Sequence, residues 1–432
     1  MTGTSAGPAG LELEPIISTT ERPQWADAKW IGQVEVADLR PVGPIRLQGA
    51  DGFSRARLLV RSGRRPLGFV DTRLDPRGVV EADLLAQLPQ RRAEAAAEID
   101  HELPPISVVI CTRGRPQQLH HALASALSLD YPDFEVVLVN NDGPDSATRT
   151  LAQQIHDNRL RVIDSPVPGL ARARNDGLLA ARQSIVAFTD DDVILDRAWL
   201  RGIADGFATS TAVACVTGIV PSAQMNTVAQ WYFDRRVSWS KSTQPETFQI
   251  DQRRASEPLF PFQVGRYGTG ANFAVRRQAA IALGGFDEAL GIGSRTAGGE
   301  DIDFFVRVLL AGHQLAYEPS ALAWHVHRSE VSHLTKQLHD YGRGLGAWLT
   351  KILLTPRTAS MVARRVLPGS RHLRQITADN DADNQIADFD LVKDVWRSER
   401  AGLRLGPVSL AQERWHGARA RPLLWASSSR PR

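Results

Sequence analysis

Three consecutive aspartates, Asp190-Asp191-Asp192, close the apolar run Ser184-Ile185-Val186-Ala187-Phe188-Thr189, and a second acidic pair, Glu300-Asp301, follows Gly298-Gly299 and opens an amphipathic stretch. Adjacent carboxylates repel one another. They stay ionised together at neutral pH only where a cation or an array of donors compensates them. A hard divalent cation, manganese or magnesium, holding a diphosphate would serve. In that reading Asp190 and Asp192 are the ligands, and Asp191 bonds a ribose or a backbone group. Asp301, held on a helix pinned by Ile302, Phe304, Phe305, Val308 and Leu309, can act as general base. The plain alternative is a strand-to-helix turn with an aspartate cap, and Glu300 can be a capping or dipole partner.

Other residues extend this set. His325 and His327 in Ala323-Trp324-His325-Val326-His327 fall at a strand end, where alternation puts both imidazoles on one side, so an imidazole can join the metal. Pro168-Gly169-Leu170-Ala171-Arg172-Ala173-Arg174-Asn175 places two arginines at a helix start, where they oppose the macrodipole. Phosphate contact would explain them, and so would ion pairs with the acidic triplet; bidentate geometry favours phosphate. Gly268-Thr269-Gly270-Ala271-Asn272-Phe273 allows close backbone approach but lacks the third glycine of a dinucleotide fingerprint. With Gly270, Asn272 and Glu300, it is the expected acceptor or sugar pocket.

The elements that must position these groups alternate from residue 106 onward. Ile106 to Cys111 is a continuous apolar strand, Pro116 starts a helix, 135–139 is a strand, 170–181 a helix and 185–188 a strand. That order implies an α/β fold with a mainly parallel sheet and helices on both faces. Ligands of such sheets sit beyond the carboxyl ends of the strands, where Thr112-Arg113, Asn140-Asn141-Asp142 and the aspartates should converge. Upstream, residues 1–20 are expected to be disordered and 21–90 to form a small β-rich domain, with a turn at 63–66 and a helix over 79–88. Residues 91–104 read as a helical linker. The segment 329–432 reads as a helical extension with a loose tail from Arg414, and 378–384 as an acidic loop. In 331–368, Trp348, Leu349, Ile352 and Leu353, flanked by Lys351, Arg357, Arg364 and Arg365, suit either a helix pair packed on the core or contact with an anionic membrane.

Composition excludes several classes. Of the 432 residues 51 are basic and 48 acidic, a balance too even for a nucleic-acid partner. The two cysteines, Cys111 and Cys215, lie in β-branched apolar runs and read as reduced, buried thiols, which fits a cytoplasmic protein. No signal peptide or membrane span is expected, so any place at the inner face of the plasma membrane would be peripheral.

Together these segments resemble the family 2 glycosyltransferases of bacterial type. The likeness runs over 105–328: Ile106 to Pro116, the Arg172-Ala173-Arg174-Asn175 helix, the aspartate triplet, Gly268 to Phe273, Gly284-Gly285-Phe286-Asp287-Glu288, Glu300-Asp301 and Trp324-His325, in the family's order. It implies the GT-A fold, a nucleotide-diphosphate sugar donor, a divalent metal and inversion at the anomeric carbon. It also implies a glycan, lipid-linked or small-molecule acceptor, as in the making of cell-surface polysaccharide, glycolipid or a glycosylated metabolite. Carried over by position, Thr112 and Arg113 meet the nucleotide, Asp190 and Asp192 the metal and donor, Asp301 is the base and His325 the last metal ligand. Arg115, Arg172, Arg174, Asn175 and Asp191 complete the donor site. Many members have Asp-Asn or Asp-Asp where this chain has Asn140-Asn141-Asp142, so either Asn141 or Asp142 meets the nucleotide base. The nearest rival is a sugar nucleotidyltransferase, which would need a glycine-rich triphosphate loop where Thr112-Arg113-Gly114-Arg115-Pro116 stands. The non-enzyme rival is an inactive sugar-nucleotide or glycan-binding protein.

Overall fold

A computed structural model of the chain describes residues 10–18, 22–39, 44–80, 102–143, 146–237, 239–240, 242–251, 259–263, 265–364 and 389–420. Short alternating runs give the first unit its strands: β1 (Leu11–Leu13), β2 (Lys29–Glu35), β3 (Ile45–Leu47), β4 (Arg55–Ser62) and β5 (Arg65–Arg73). β1 pairs with β3, and β2-β4-β5 form a three-stranded sheet. The β4–β5 hairpin turns at Gly63, φ 54°, within the expected turn. Ordered structure thus begins inside the segment read as disordered, because β1 pairs along its length with β3 and buries Leu13. Val79 and Val80 bridge to Arg46 and Leu74, so the segment read as a helix over 79–88 starts as extended chain; its remainder and 91–101 of the linker lie outside the described residues.

The second unit supplies the site. In chain order it runs β6 (Ile106–Thr112), α1 (Pro116–Leu127), β7 (Phe134–Asn140), α2 (Ala147–Gln153), β8 (Leu160–Asp164), α3 (Leu170–Ala180), β9 (Ile185–Asp190) and β10 (Val193–Leu195). There follow α4 (Trp199–Ala208), β11 (Val213–Thr217), α5 (Val228–Arg236), β12 (Glu246–Phe248), β13 (Asn272–Arg276), α6 (Arg277–Ala282), α7 (Glu300–Leu310), β14 (Gln314–Tyr317) and β15 (Ala323–His325). The eight-stranded sheet has the order β12-β14-β11-β13-β9-β6-β7-β8. β8, β7, β6 and β9 are parallel, whereas β13 inserts antiparallel between β9 and β11, which makes the sheet mixed.

Every residue of β6 is buried because each face has its own core. Val108 and Ile110 pack with Leu119, Leu123 and Trp199 of α1 and α4. Val109, Val186 and Phe188 pack on the other face with α3 and α7, where Phe273, Phe188, Phe286 and Phe304, taken in that order, pack beneath the site with centroids 4.8–5.4 Å apart between successive rings.

Among the described residues three further helices follow: α8 (Val331–Leu354), α9 (Pro356–Ala363) and the C-terminal helix Phe389–Ala420. They realise the packed-helix reading. Trp348 and Ile352 are buried in the core and Lys351 is ion-paired, so these three cannot meet a membrane, while Leu349 and Leu353 stay exposed. The chain expected to loosen from Arg414 is helical to Ala420; residues 378–384 lie outside the described set. Among the described residues no helix is long and apolar enough to cross a membrane. Cys111 and Cys215 are free and buried.

Candidate functional site

Register brings the strand ends into line. Cys111 of β6 lies beside Asp190 of β9, and Thr112 beside Asn140 of β7, so the expected crevice forms at the carboxyl ends of three parallel strands. β13 pairs Asn272 with Thr189, which sets Gly270 and Ala271 next to Asp190. β10 pairs with β15 so that Val193 faces His325, and this short ladder carries His325 to the triplet.

Arg174 is the hub. Its side chain is 2 % exposed and lies over Phe273, 5.6 Å from the ring centroid. Nη2 donates to Asp190 Oδ1 at 3.0 Å and to the Gly270 carbonyl at 2.8 Å, and Nη1 to Glu300 Oε1 at 2.8 Å. Burial alone would loosen its proton, but Asp190 and Glu300 outweigh that and hold it more firmly than usual. The ion-pair alternative to phosphate contact is thus realised at Arg174, and one guanidinium ties β9, β13 and α7 together.

Asp301 sits beside this hub. The helix α7 starts at Gly299, whose φ of 93° is the left-handed region that glycine enters without strain. Asp301 Oδ2 accepts the Gly270 N–H and Oδ1 the Ile302 N–H, each at 2.8 Å. A β-carbon on Gly270 would lie 3.0 Å from Asp301 Oδ2, so the glycine permits the approach. Both bonds fix the carboxylate plane and leave each oxygen a further acceptor position. Burial, then the adjacent Asp301 charge, pushes Glu300 up to about 7 against the pull of Arg174.

The triplet divides its roles. Asp191 is buried and accepts Thr112 Oγ1 at 2.6 Å, while Arg115 Nη1 reaches Asp191 at 3.2 Å and Asp192 at 3.1 Å. Burial, then the Asp192 charge, pushes Asp191 up to about 7. Burial also raises Asp190, against Arg174. Asp192 Oδ1 faces His325 Nε2 at 3.3 Å, and His327 stacks on His325 at 4.6 Å. Burial, then His325, lowers His327 well below its ordinary value.

Among the described residues no three His, Cys, Asp or Glu side chains form a metal-holding group. The pair Asp192 and His325 nevertheless fits a divalent ion completed by phosphate oxygens, since carboxylate and imidazole are its usual donors and magnesium commonly takes only one or two carboxylates from protein. Charge points the same way: among the described residues the arginines paired with Asp190, Asp191, Asp192 and Glu300 are Arg115 and Arg174 alone.

Other expected residues are spent inside the protein. Asn141 donates to the Ser165 and Val167 carbonyls and accepts the Gly169 N–H. Asn272 is fully buried, donates to the Ile219 and Ala321 carbonyls and accepts Trp199 Nε1–H, which leaves it no atom for a sugar. Arg172 pairs with Glu288 at 3.0 Å, and Asn175 bonds both backbone groups of Phe286. Arg113 and Asp142 are exposed at the ends of β6 and β7.

A family model described as Glycosyltransferase like family 2 matches residues 104–340, more than half of the chain. The chain belongs to that family. Over 281 residues it is 29 % identical to the pre-mycofactocin glycosyltransferase of Mycobacterium tuberculosis, a match covering 63 % of this chain and 53 % of that one. It is 27 % identical over 223 residues to the succinoglycan biosynthesis protein ExoM of Rhizobium meliloti, covering 50 % and 65 %. The chain therefore spans about half to two thirds of the length of these curated relatives. A mannosyltransferase from Pyrobaculum calidifontis, solved with GDP-Man and Mn2+, aligns with 18 % identity over 74 % of this chain and 77 % of that one, at a TM-score of 0.41, too loose a likeness to argue from.

In this family 2 chain the sequence concealed two participants. Glu288 was visible as part of Gly284-Gly285-Phe286-Asp287-Glu288, but nothing in that run names Arg172 and Asn175 as partners. Gly344 of α8 presses on the Gly298-Gly299 turn and carries no local signal at all.

Proposed function

We propose that the protein transfers a sugar from a nucleoside-diphosphate sugar to an acceptor hydroxyl, with inversion. The observation that carries this reading is the meeting of Asp192, His325, Asp190, Arg174 and Asp301 in one crevice, although β9, the turn after it, β15, α3 and α7 contribute them separately. Asp301 takes the proton of the acceptor hydroxyl as its oxygen forms a bond to the anomeric carbon. The bond from that carbon to the diphosphate oxygen breaks on the opposite face, and the electron pair leaves with the nucleoside diphosphate. A divalent ion on Asp192 and His325 would neutralise the charge gathering on the diphosphate. Arg115, 37 % exposed and bonded through Nη1 to Asp191 and Asp192, keeps its other N–H groups for phosphate. Arg113 and Asp142 face the nucleotide.

Arg174 and Glu300 act one step back, by fixing Gly270 and the start of α7. The acceptor is a glycan, a lipid-linked sugar or a small metabolite. If it is lipid-linked, the exposed Leu349, Leu353 and Leu354 with Arg357 and Arg364 meet the anionic surface, a contact that salt-sensitive co-sedimentation with anionic vesicles reads directly.

The stereochemistry tests the reading. Proton NMR of the sugar first released from an α-linked donor should show the β anomer. Release of the α anomer would rule out single displacement.

A further inference from the structure

Helix α8 lies outside the strand-and-helix unit that carries the acids, yet it touches the turn in front of Asp301. A β-carbon on Gly344 would lie 2.6–2.8 Å from the carbonyl carbon, Cα and oxygen of Gly298, and one on Gly299 would lie 2.9 Å from the Gly344 oxygen. These contacts are backbone against backbone, so neither side can yield by turning a side chain. Four residues after the turn the same helix holds α7 again, with Lys351 Nζ 2.6 Å from Asp303 Oδ1 and also 2.7 Å from Asp287 Oδ2 in the chain before α7.

The C-terminal helix locks α8 from behind. Gly342 and Gly346 meet the backbone of Glu399 and Leu403, and Gly402 and Gly406 meet that of His339 and of Gly346 and Ala347. Glu413 of that helix also accepts the Arg295 N–H at 3.0 Å, so it grips the loop leading to the turn.

We infer that α8, backed by the C-terminal helix, is a brace for the general base, and that Gly344 is a positioning residue for Asp301. The inference rests on the reading of Asp301 as base. Asp301 has its oxygens fixed by Gly270 and Ile302, and a shift of the Gly298-Gly299 turn would move the first turn of α7 against both. Misplacement of a reacting group by about 1 Å costs on the order of 10²-fold in rate.

The full chain is assayed with UDP-glucose, UDP-galactose, UDP-N-acetylglucosamine and GDP-mannose, and the probe that is turned over is kept. Gly344→Ala should lower kcat by about tenfold to 10²-fold with the donor KM within about twofold, measured well below the melting temperature. Gly206→Ala on α4, which crowds Val216 and touches neither α7 nor α8, is the control; it should lower the melting temperature and keep kcat. Wild-type kcat in Gly344→Ala, or equal loss in both variants, overturns the brace. If Gly344→Ala does not fold, Lys351→Met decides: a lower kcat at unchanged KM supports the brace and a wild-type kcat overturns it. Asp301→Asn separates the two claims. Full turnover in that variant sinks the base itself, whereas an inactive Asp301→Asn beside an active Gly344→Ala sinks the brace alone.

Discussion

The aspartate triplet that ends β9 and the acidic pair that opens α7 are alike in composition and opposite in how they are compensated. In each, one carboxylate is drawn inside: Asp191 to Thr112 and Arg115, Glu300 to Arg174. In each, one remains at the crevice. Asp192 faces an imidazole, a partner that can share a cation, while Asp301 faces backbone N–H groups, which orient a carboxylate without taking its basicity into an ion pair. On the proposed function, the neighbour of each acid sorts a cation site from a proton site, although the sequence shows only runs of acids.

Arg174 joins the two clusters, and its loss should have the largest effect. Arg174→Met leaves Asp190 and Glu300 without their buried partner, at a cost of about 3–5 kcal/mol in urea unfolding. A loss below about 1 kcal/mol would mean that the clusters stand independently. Next, Asp301→Asn should lower turnover by about 10²-fold while melting stays near wild type, whereas Glu300→Gln should disturb stability more than turnover. The reverse order would exchange their roles.

A smaller change is expected at the other cluster. Asp192→Ala and His325→Ala should each weaken manganese-dependent binding of UDP or GDP by about tenfold or more, with metal-free binding unaltered, as read by calorimetry. Unchanged manganese dependence in both would remove the cation from this cluster. The smallest effect is a pH slope. His327 is buried with its proton affinity lowered, so unfolding takes up a proton below the unfolded value of 6.5. Its contribution is intact above that pH and is lost as pH falls, by at most about 1.4 kcal/mol per unit. Melting followed from pH 7.5 to 5.5 should fall less steeply in His327→Phe, and identical slopes would show that the ring is not held neutral.

Much of this was legible in the chain. The unbroken apolar run of β6 announces a strand covered on both faces, and acids at the end of β9 announce a crevice, because strand direction alone decides where loops gather. Family order then put Asp301 and His325 forward for the roles proposed above. Direction was hidden at β13, since Phe273-Ala274-Val275 reads the same parallel or antiparallel. Partners were hidden too: Arg174 and Asn175 look like donor ligands until the chain brings Glu300 and Phe286 to them, and an amide such as Asn272 or Asn141 cannot be told from a ligand until its neighbours are known. β1 went unseen because three residues are too few to show alternation. The C-terminal extension was legible as helical, but not its run past Arg414 to Ala420, nor that its glycines let two helix backbones approach.

Binding of sugar nucleotides by the full chain tests the central claim most directly. Melting temperatures are measured with UDP-glucose, UDP-galactose, UDP-N-acetylglucosamine and GDP-mannose, each with Mn2+ or Mg2+ and again with chelator. A ligand at 100 times its Kd adds about 2.7 kcal/mol. The crevice described here predicts that at least one donor stabilises the wild type only when metal is present, and that Asp192→Ala loses the effect. No stabilisation by any donor with either metal, or stabilisation that survives both the chelator and Asp192→Ala, would contradict it.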